Sequence, residues 1–528
     1  TWIWAQGQAL RRQRNYKDWL ANLSLDFDRF WGAHRLTARA LGEWQHSRQT
    51  EFGTLVKGFT NNATGYHNLA AGALRPYGRQ DATLLSGLFS ARYSIFNRYA
   101  LSVSVRADGS SLVGENHTWG LFPSVSGEWD VKHEAFLRDV DAVNRLKFRI
   151  GYGESGNLAG ISAYNAVRRM VPTNVVPVNG APVVTMSEAR NYNPDLRWET
   201  RGTFNVGAEA ALWDNRLILT VAYYHAVTRD MLYEYEVPVP PFVYNKLLAN
   251  NGTLSNDGWE LGLGASLLRT RDWGVDVNAN LTVQRSRLRS LGGACLGMQL
   301  TAPRITPIGG MELGAGFHGG NNNVLYQIVG QPLGVFYLPK STGLELQPDG
   351  SRRYEIEDLD HNGRINVEDG GDRYVAGQAT PKVMLGSNIA VRYKNWDLTM
   401  QINGAFGHKI FNATALAYMN MTSFPDYNVM RGAPQQNIKD QNVTDYWLEK
   451  GDYVNVDYIT LGWNVPLRSR VIQGLRLSCS VNNLWTFTAY SGLTPMINSH
   501  VVNATLGMDD KRSYPVYRTF SMGVNVQF

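Results

Sequence analysis

Two features that usually organise a long chain are missing from this one. No run of apolar residues approaches the length that crosses a bilayer as a helix, which excludes helical membrane spans. Cysteine is scarce: Cys295 and Cys479 are far apart, too few for a disulfide framework and without metal-ligand spacing. Charge is muted as well. A net charge of +6 over 528 residues, with Lys and Arg scattered, points away from nucleic acid as a partner. HExxH, a P-loop and a GxSxG nucleophile elbow are all absent, and Gly153-Glu-Ser-Gly156 is a glycine-flanked strand end rather than a phosphate cradle. No Ser/His or paired-carboxylate spacing marks a hydrolase, so the chain reads as a non-enzyme. The ten histidines are dispersed, and His225 near a strand end reads as filling of a wall rather than as a ligand.

What is present is alternation. The last nine residues put Phe520, Met522, Val524, Val526 and Phe528 on one face of a strand, with Ser521, Gly523, Asn525 and Gln527 on the other. A period of two, apolar against small and polar, describes a strand with one face in lipid and one in water. The pattern recurs about fifteen times. Clear examples are Trp19–Phe27, Leu85–Tyr93, Tyr99–Val105, Trp259–Leu267, Val275–Gln284 and Leu475–Val481. The 52 Gly, 26 Tyr, 19 Phe and 15 Trp suit tight turns, small lumen residues and aromatic girdles. Trp129, Trp213, Trp259, Trp273 and Trp396 fall near strand ends as girdle residues would. Cys479 takes the apolar phase of its strand and reads as a small lipid-facing residue.

The connections sort into two kinds. Short turns at 30–33, 95–98, 213–216, 270–273 and 394–396 alternate with long excursions at 46–80, 156–198, 231–255, 289–380, 412–450 and 486–514. Outer-membrane barrels alternate short periplasmic turns with long external loops in this way. If the short turns are periplasmic, the final strand runs inward, and the carboxyl terminus lies in the periplasm. The competing soluble reading, a multi-domain β-sandwich protein, has little reason to gather its long loops at one end. The sequence therefore predicts an all-β fold, a transmembrane antiparallel β-barrel in the cell outer membrane surrounded by outer-membrane lipid. Single-chain bacterial barrels normally have even strand numbers, so about fifteen strands, the first running inward, anticipate further strands on the amino-terminal side. Thr1-Trp-Ile-Trp opens without a signal peptide, which fits processing or a fragment, the strand count favouring the fragment. Phe520 and Phe528 are read as an assembly signal on the strand that closes the wall.

One constellation has a definite chemical reading. In Asp358-Leu-Asp360-His-Asn362-Gly-Arg364-Ile-Asn366-Val-Glu-Asp369, oxygen side chains fall at positions 1, 3, 5, 9 and 12. Glycine stands at 6 and the Arg364 carbonyl at 7, the pattern of an EF-hand-type Ca2+ loop built of hard oxygen ligands. Position 12 is Asp rather than the usual bidentate Glu, which shortens its reach. The plainer alternative is a solvated Asp/Asn-Gly turn.

Several segments together resemble the SusC/RagA family of TonB-linked outer-membrane transporters of Bacteroidetes. They include Arg106-Ala-Asp-Gly-Ser-Ser111, Trp119-Gly-Leu-Phe-Pro-Ser124 with Trp129, and Leu146 to Asn157. Asn193-Pro-Asp-Leu-Arg-Trp-Glu199 is similar to the family's Asn-Pro-x-Leu-Lys-Trp-Glu segment. The calcium-like loop with Gly377 and Pro381, Gly404-Ala-Phe-Gly407, Phe411-Asn412, Tyr458-Ile-Thr-Leu-Gly462, Asn483-Leu-Trp-Thr-Phe487 and Tyr514 to Phe520 continue it in order. The resemblance departs at Gly492-Leu-Thr-Pro-Met496, where the family often carries Asp-Pro-Glu.

The resemblance implies that residues 1–528 are the carboxyl-terminal part of a 22-stranded TonB-dependent transporter barrel. A plug domain, a TonB-contacting segment and the first strands would belong to a larger protein. It implies active import of oligosaccharides or peptides with a SusD-like surface lipoprotein as lid, dimers of such SusCD pairs, and energy supplied by the TonB complex. The alternatives left open are a TonB-dependent siderophore or vitamin receptor and a passive structural barrel.

Overall fold

The computed structural model describes residues 7–59, 73–308, 323–422, 424–467, 471–497, 506–510 and 514–528. Part of the excursion at 46–80 and the opening Thr1–Trp4 lie outside the described residues. One antiparallel sheet dominates. Its strands run in chain order: β1 (Gly7–Trp31), β2 (His34–Phe59), β3 (Ala73–Ile95), β4 (Tyr99–Ser110) and β5 (Trp119–Asp130). Next come β6 (Val143–Asn157), β7 (Glu199–Leu212), β8 (Leu217–Glu236), β9 (Lys246–Arg269) and β10 (Trp273–Cys295). The last five are β11 (Val383–Tyr393), β12 (Trp396–Phe406), β13 (Tyr453–Val465), β14 (Gly474–Thr488) and β15 (Thr519–Gln527). Every alternating segment read in the sequence is one of these strands. Among the described residues β1 and β15 are the two edges of the wall, which curves but stays open.

The pairing fixes the faces. Leu25 opposes Ala40 and Leu23 opposes Gly42, so one face of β1–β2 is apolar, while on the opposite face Asp26 opposes Arg39 and Asp28 reaches diagonally to Arg35. Leu23 stays 72% exposed and Met522 90% exposed. Side chains this apolar and this open, repeated round the wall, are explained by a lipid solvent. Aromatic pairs border the band. At the short-turn end Trp273 and Tyr393 meet tilted at 4.3 Å and Trp396 stacks on Trp463 at 5.2 Å, and Tyr223–Trp259 meet at 5.0 Å at the other. The tight turn at Asp214 and Asn215 uses left-handed φ of 56° and 59°, which Asp and Asn tolerate better than most residues.

Two of the long excursions are corrected by the structure. β1, β2 and β3 run for 25, 26 and 23 residues, where a membrane crossing needs about 9–11. Pairing of β2 with β3 continues out to Leu55 and Ala73. Likewise Tyr233–Glu236 of β8 pair with Lys246–Ala249 of β9, so the excursion at 231–255 shrinks to residues 237–245. Polar side chains on both faces mimic a loop in sequence, but they suit a ladder that stands clear of lipid.

The remaining excursions fold together over one end of the wall. Ile305–Pro307, Leu325–Ile328, Val335–Pro339 and Arg373–Gln378 make a small antiparallel sheet. Lys409–Asn412 pairs antiparallel with Leu448–Lys450 and parallel with Met508–Asp509, tying the excursions at 412–450 and 486–514 together. Phe336, Leu338, Tyr354, Phe411, Leu416 and Ile438 form their shared core. A separate hairpin, Met170–Val178 with Ala181–Glu188, rises from the excursion at 156–198.

Candidate functional site

The Asp-rich loop sits between the hairpin Ser341–Leu346/Arg352–Ile356 and the strand Arg373–Gln378 of this loop body. Its turn is made locally. His361 and Gly363 take left-handed φ of 57° and 79°. The Asp358 carboxylate then accepts from the Gly363 and Asn362 amides at 2.7 and 3.2 Å. These contacts, the Gly363 amide foremost, hold the Asp358 carboxyl below its ordinary range. Asp360 accepts from the side-chain amide of Asn362 at 2.7 Å, and the Asn362 oxygen accepts from the Arg364 amide at 2.8 Å. The Asn366 oxygen caps the Glu368 amide at 3.0 Å.

The residue at position 12 does not join them. Asp369 turns its carboxylate to the Tyr326 hydroxyl at 2.5 Å and to Arg373 at 3.5 Å. The third carboxylate of the cluster is Asp372, fully buried. It accepts from the amides of Leu359 and Asn366 at 2.8 and 2.7 Å, crossing the mouth of the loop. One oxygen each from Asp358, Asp360 and Asp372 lie within 4.8 Å of one another. That is about twice a Ca2+–oxygen distance of 2.3–2.6 Å, so one ion can touch all three. The donors are hard and anionic, which suits Ca2+ rather than a softer metal.

Asp372 and its neighbour Arg373 escaped the sequence reading. The available signal was Gly370-Gly371, an insertion after position 12. A Cβ on Gly371 would stand 2.4 Å from the Asn366 carbonyl, so glycine lets the chain double back and insert Asp372. Arg373, its side chain wholly enclosed, donates to the Tyr326 hydroxyl at 2.7 Å and to the Tyr337 carbonyl at 3.0 Å. The loop is thereby fastened to the small sheet.

Just before the stretch 492–496, Tyr490 reaches another buried acid. Asp509 accepts from the Tyr490 hydroxyl at 2.7 Å and from Thr414 at 3.0 Å. Burial and the nearby carboxylate push the Tyr490 phenol far up, so it stays a donor. Gly492 must be small, since a Cβ there would meet the Tyr490 ring at 2.5 Å.

Below the loop body the inner face of the wall changes character along the sheet. From β1 to β7 it carries ion pairs: Asp28–Arg35 at 2.8 Å, Glu128–Lys147 at 3.1 Å, and Glu209 with Arg145. From β10 to β14 amides join the charged groups, among them the Asp397–Arg476 pair. Asn388 donates to Gln401 at 3.3 Å and to the Tyr458 hydroxyl at 3.4 Å, and Gln401 donates to Asn403 at 3.1 Å. Such a surface offers amide hydrogen bonds to polar solutes beside its charged groups. Phe520 and Phe528 project from the outer face of the β15 edge, 71% and 75% exposed.

Comparison with known proteins follows this geometry. A family model described as TonB dependent receptor-like, beta-barrel matches residues 3–484. TonB-dependent receptor P3 of Formosa agariphila is 29% identical over 99% of this chain and 53% of its own length. TonB-dependent receptor SusC of Bacteroides thetaiotaomicron is 24% identical over 96% of this chain and 50% of its own. The chain spans about half the length of the curated relatives it matches. Among solved structures, that of the RagAB peptide transporter superposes with a TM-score of 0.75 at 21% identity, covering 99% of this chain and 57% of that one. That likeness is one of fold.

Proposed function

This chain belongs to the TonB-dependent receptor-like β-barrel family of the outer membrane, and on that premise we propose that it forms part of an active nutrient importer. The long-loop end faces outward and the short turns face the periplasm. Energy comes from the TonB complex through a plug and TonB-contacting segment beyond these residues, within a barrel of 22 strands. A SusD-like surface lipoprotein closes over the loop body, and two such pairs assemble together. The substrate is an oligomer, a glycan or a peptide. The carrying observation is the amide cluster of Asn388, Gln401 and Asn403 with Tyr458 on β11–β13 beneath the loop body, a surface suited to hydroxyl- or amide-rich chains. The relatives support the same reading, one being named SusC and one structure being described as a peptide transporter.

Ca2+ belongs to this proposal as a structural ion of the loop body. Asp358, Asp360, Asn362 and Asp372 would hold it, with the Arg364 carbonyl at position 7. Asn366 and Asp369 would support the loop from outside the ion's reach. Bound there, the ion neutralises three clustered carboxylates, and the external medium supplies enough calcium for a weak site.

The test is affinity purification of the full-length receptor from its native outer membrane, joined to uptake assays with labelled oligosaccharides and peptides. A surface lipoprotein should co-purify, and uptake of one substrate class should require TonB. A barrel that purifies alone and takes up neither class overturns the proposal.

A further inference from the structure

Aromatic side chains close the outward band of β1–β2 at the long-loop end. Trp19 and Trp44 flank His46, with ring separations of 5.4 and 6.1 Å. Trp19 and Trp31 are about twelve residues apart on β1, roughly 30 Å along the membrane normal at a strand tilt near 40°. Trp19 therefore marks the external border of the hydrocarbon. On the same outward face, one pairing row beyond it, Lys17 opposes Arg48 and Arg48 opposes Asp81. In the row after that, Asn15 opposes Thr50 and Thr50 opposes Arg79. The face changes from apolar to cationic in one step of the strand.

The cations are held in place. Arg48 and Arg79 each direct Nε at a different oxygen of Asp81, both at 2.6 Å. The Arg48 guanidinium also lies 5.9 Å from the Trp19 ring, which anchors it at girdle height. Lys17 is exposed beside them. Two of these cations share Asp81 and Lys17 stands beside Arg48, so the row is cationic and directed sideways, away from the lumen. A second sector places charges at the same level without an excess of cations. One row beyond Trp259, opposite Val283, Asp257 opposes Arg285 on the outward face and pairs with His225 at 2.5 Å. The β4–β5 sector instead ends on Trp119 and carries no cation at this level. The basic row is thus a local feature of the wall.

We infer that the outward row formed by Lys17, Arg48 and Arg79 binds the phosphate groups of outer-leaflet glycolipid. Continuity with the lipid-facing band dictates the occupant, because whatever neutralises this row must sit level with lipid headgroups. The chemistry agrees: guanidinium forks and an ammonium at headgroup depth match phosphate oxygens. Each basic side chain at a charged membrane surface contributes about fivefold in affinity. The glycolipid would hold the tall β1–β3 ribbon at a fixed depth.

The inference rests on the long-loop end being external, which cysteine labelling of intact cells at Gly180 checks separately. The experiment places the full-length receptor in nanodiscs and measures retention of bisphosphorylated lipid A against its dephosphorylated form. Wild-type protein should retain the phosphorylated form selectively. The combined Lys17→Gln, Arg48→Gln and Arg79→Gln variant should lose on the order of a hundredfold. Lys17→Gln alone, a change at an exposed position that the fold tolerates, should lose several-fold. Lys394→Gln at the opposite end should change nothing. High salt should weaken retention in wild type and barely alter the triple variant. Equal retention of the two glycolipids, or unchanged retention in Lys17→Gln and the triple variant, overturns the inference. Full displacement by inorganic phosphate alone would also overturn it, showing a general anion site.

Discussion

In β13, Leu461 leaves 42% of its surface uncovered, whereas Phe336 in the loop body is wholly buried. Both are large apolar side chains of one chain, yet they answer to different solvents. The wall satisfies its backbone strand to strand and offers its apolar face to lipid, so its interior face can be polar and open. The loop body stands in water and must bury its apolar groups in itself. It does so with a core shared by three excursions and with polar residues drawn inside, Asp372, Arg373 and Asp509 among them. Buried polar groups of this kind remain stable only when their hydrogen bonds are made. The wall therefore tolerates change on its inner face and resists it on its outer face, while the loop body resists change wherever a buried polar atom would lose its partner.

The sharpest way to break this comparison is a pair of neighbouring arginines. Leu461→Arg places a charge on the lipid face and should cost about 2–4 kcal/mol if it lies near midplane. Thr460→Arg places the same charge in the lumen and should cost a few tenths as much. Denaturant titration of the barrel in lipid vesicles measures both. Equal losses would mean that the two faces do not see different solvents.

A smaller effect, confined to the other region, is expected from Asp372→Asn. The change weakens an acceptor for the Leu359 and Asn366 amides and should cost the loop body about 1–3 kcal/mol. Removing Ca2+ with a chelator should act in the same place, speeding proteolysis within 341–380 and leaving wall stability unchanged. Chelation that leaves loop proteolysis unaltered would reduce the Asp-rich segment to a turn held by its own hydrogen bonds.

The two regions were also unequally legible in the sequence. All fifteen wall strands announced themselves, because a strand between lipid and lumen repeats one rule every second residue. What failed was their length. Beyond Lys17 in β1, and in the paired ends of β8 and β9, both faces meet water, the alternation fades, and a strand resembles a loop. The loop body showed only its local motif. Asp358, Asp360 and Asn362 are set by spacing and the turn at Gly363. Asp372 enters through a glycine insertion that the motif does not contain, and Asp369 is drawn off by Tyr326, which stands 43 residues away. Partners that distant depend on the tertiary fold and leave no periodic trace.

The smallest expected change in stability comes at the carboxyl terminus, where the comparison separates assembly from function. β15 pairs with β14 from Asn482↔Thr519 to Gly474↔Gln527 and presents its other edge unpaired among the described residues. In lipid an unpaired edge costs several kcal/mol per backbone group, roughly, so this strand has to find a partner strand during insertion. The phenyl rings of Phe520 and Phe528 face outward, where they add lipid contact and touch nothing in the lumen. Deleting Phe528 should therefore lower the amount of heat-modifiable folded barrel in the outer membrane, while the molecules that insert keep normal stability and uptake. Asn525→Lys, directed to the lumen opposite Arg476, should spare the amount inserted. If loss of Phe528 left membrane levels unchanged and abolished uptake, the terminal strand would belong to the transport machinery, and the distinction between lipid face and working face would fail at this edge.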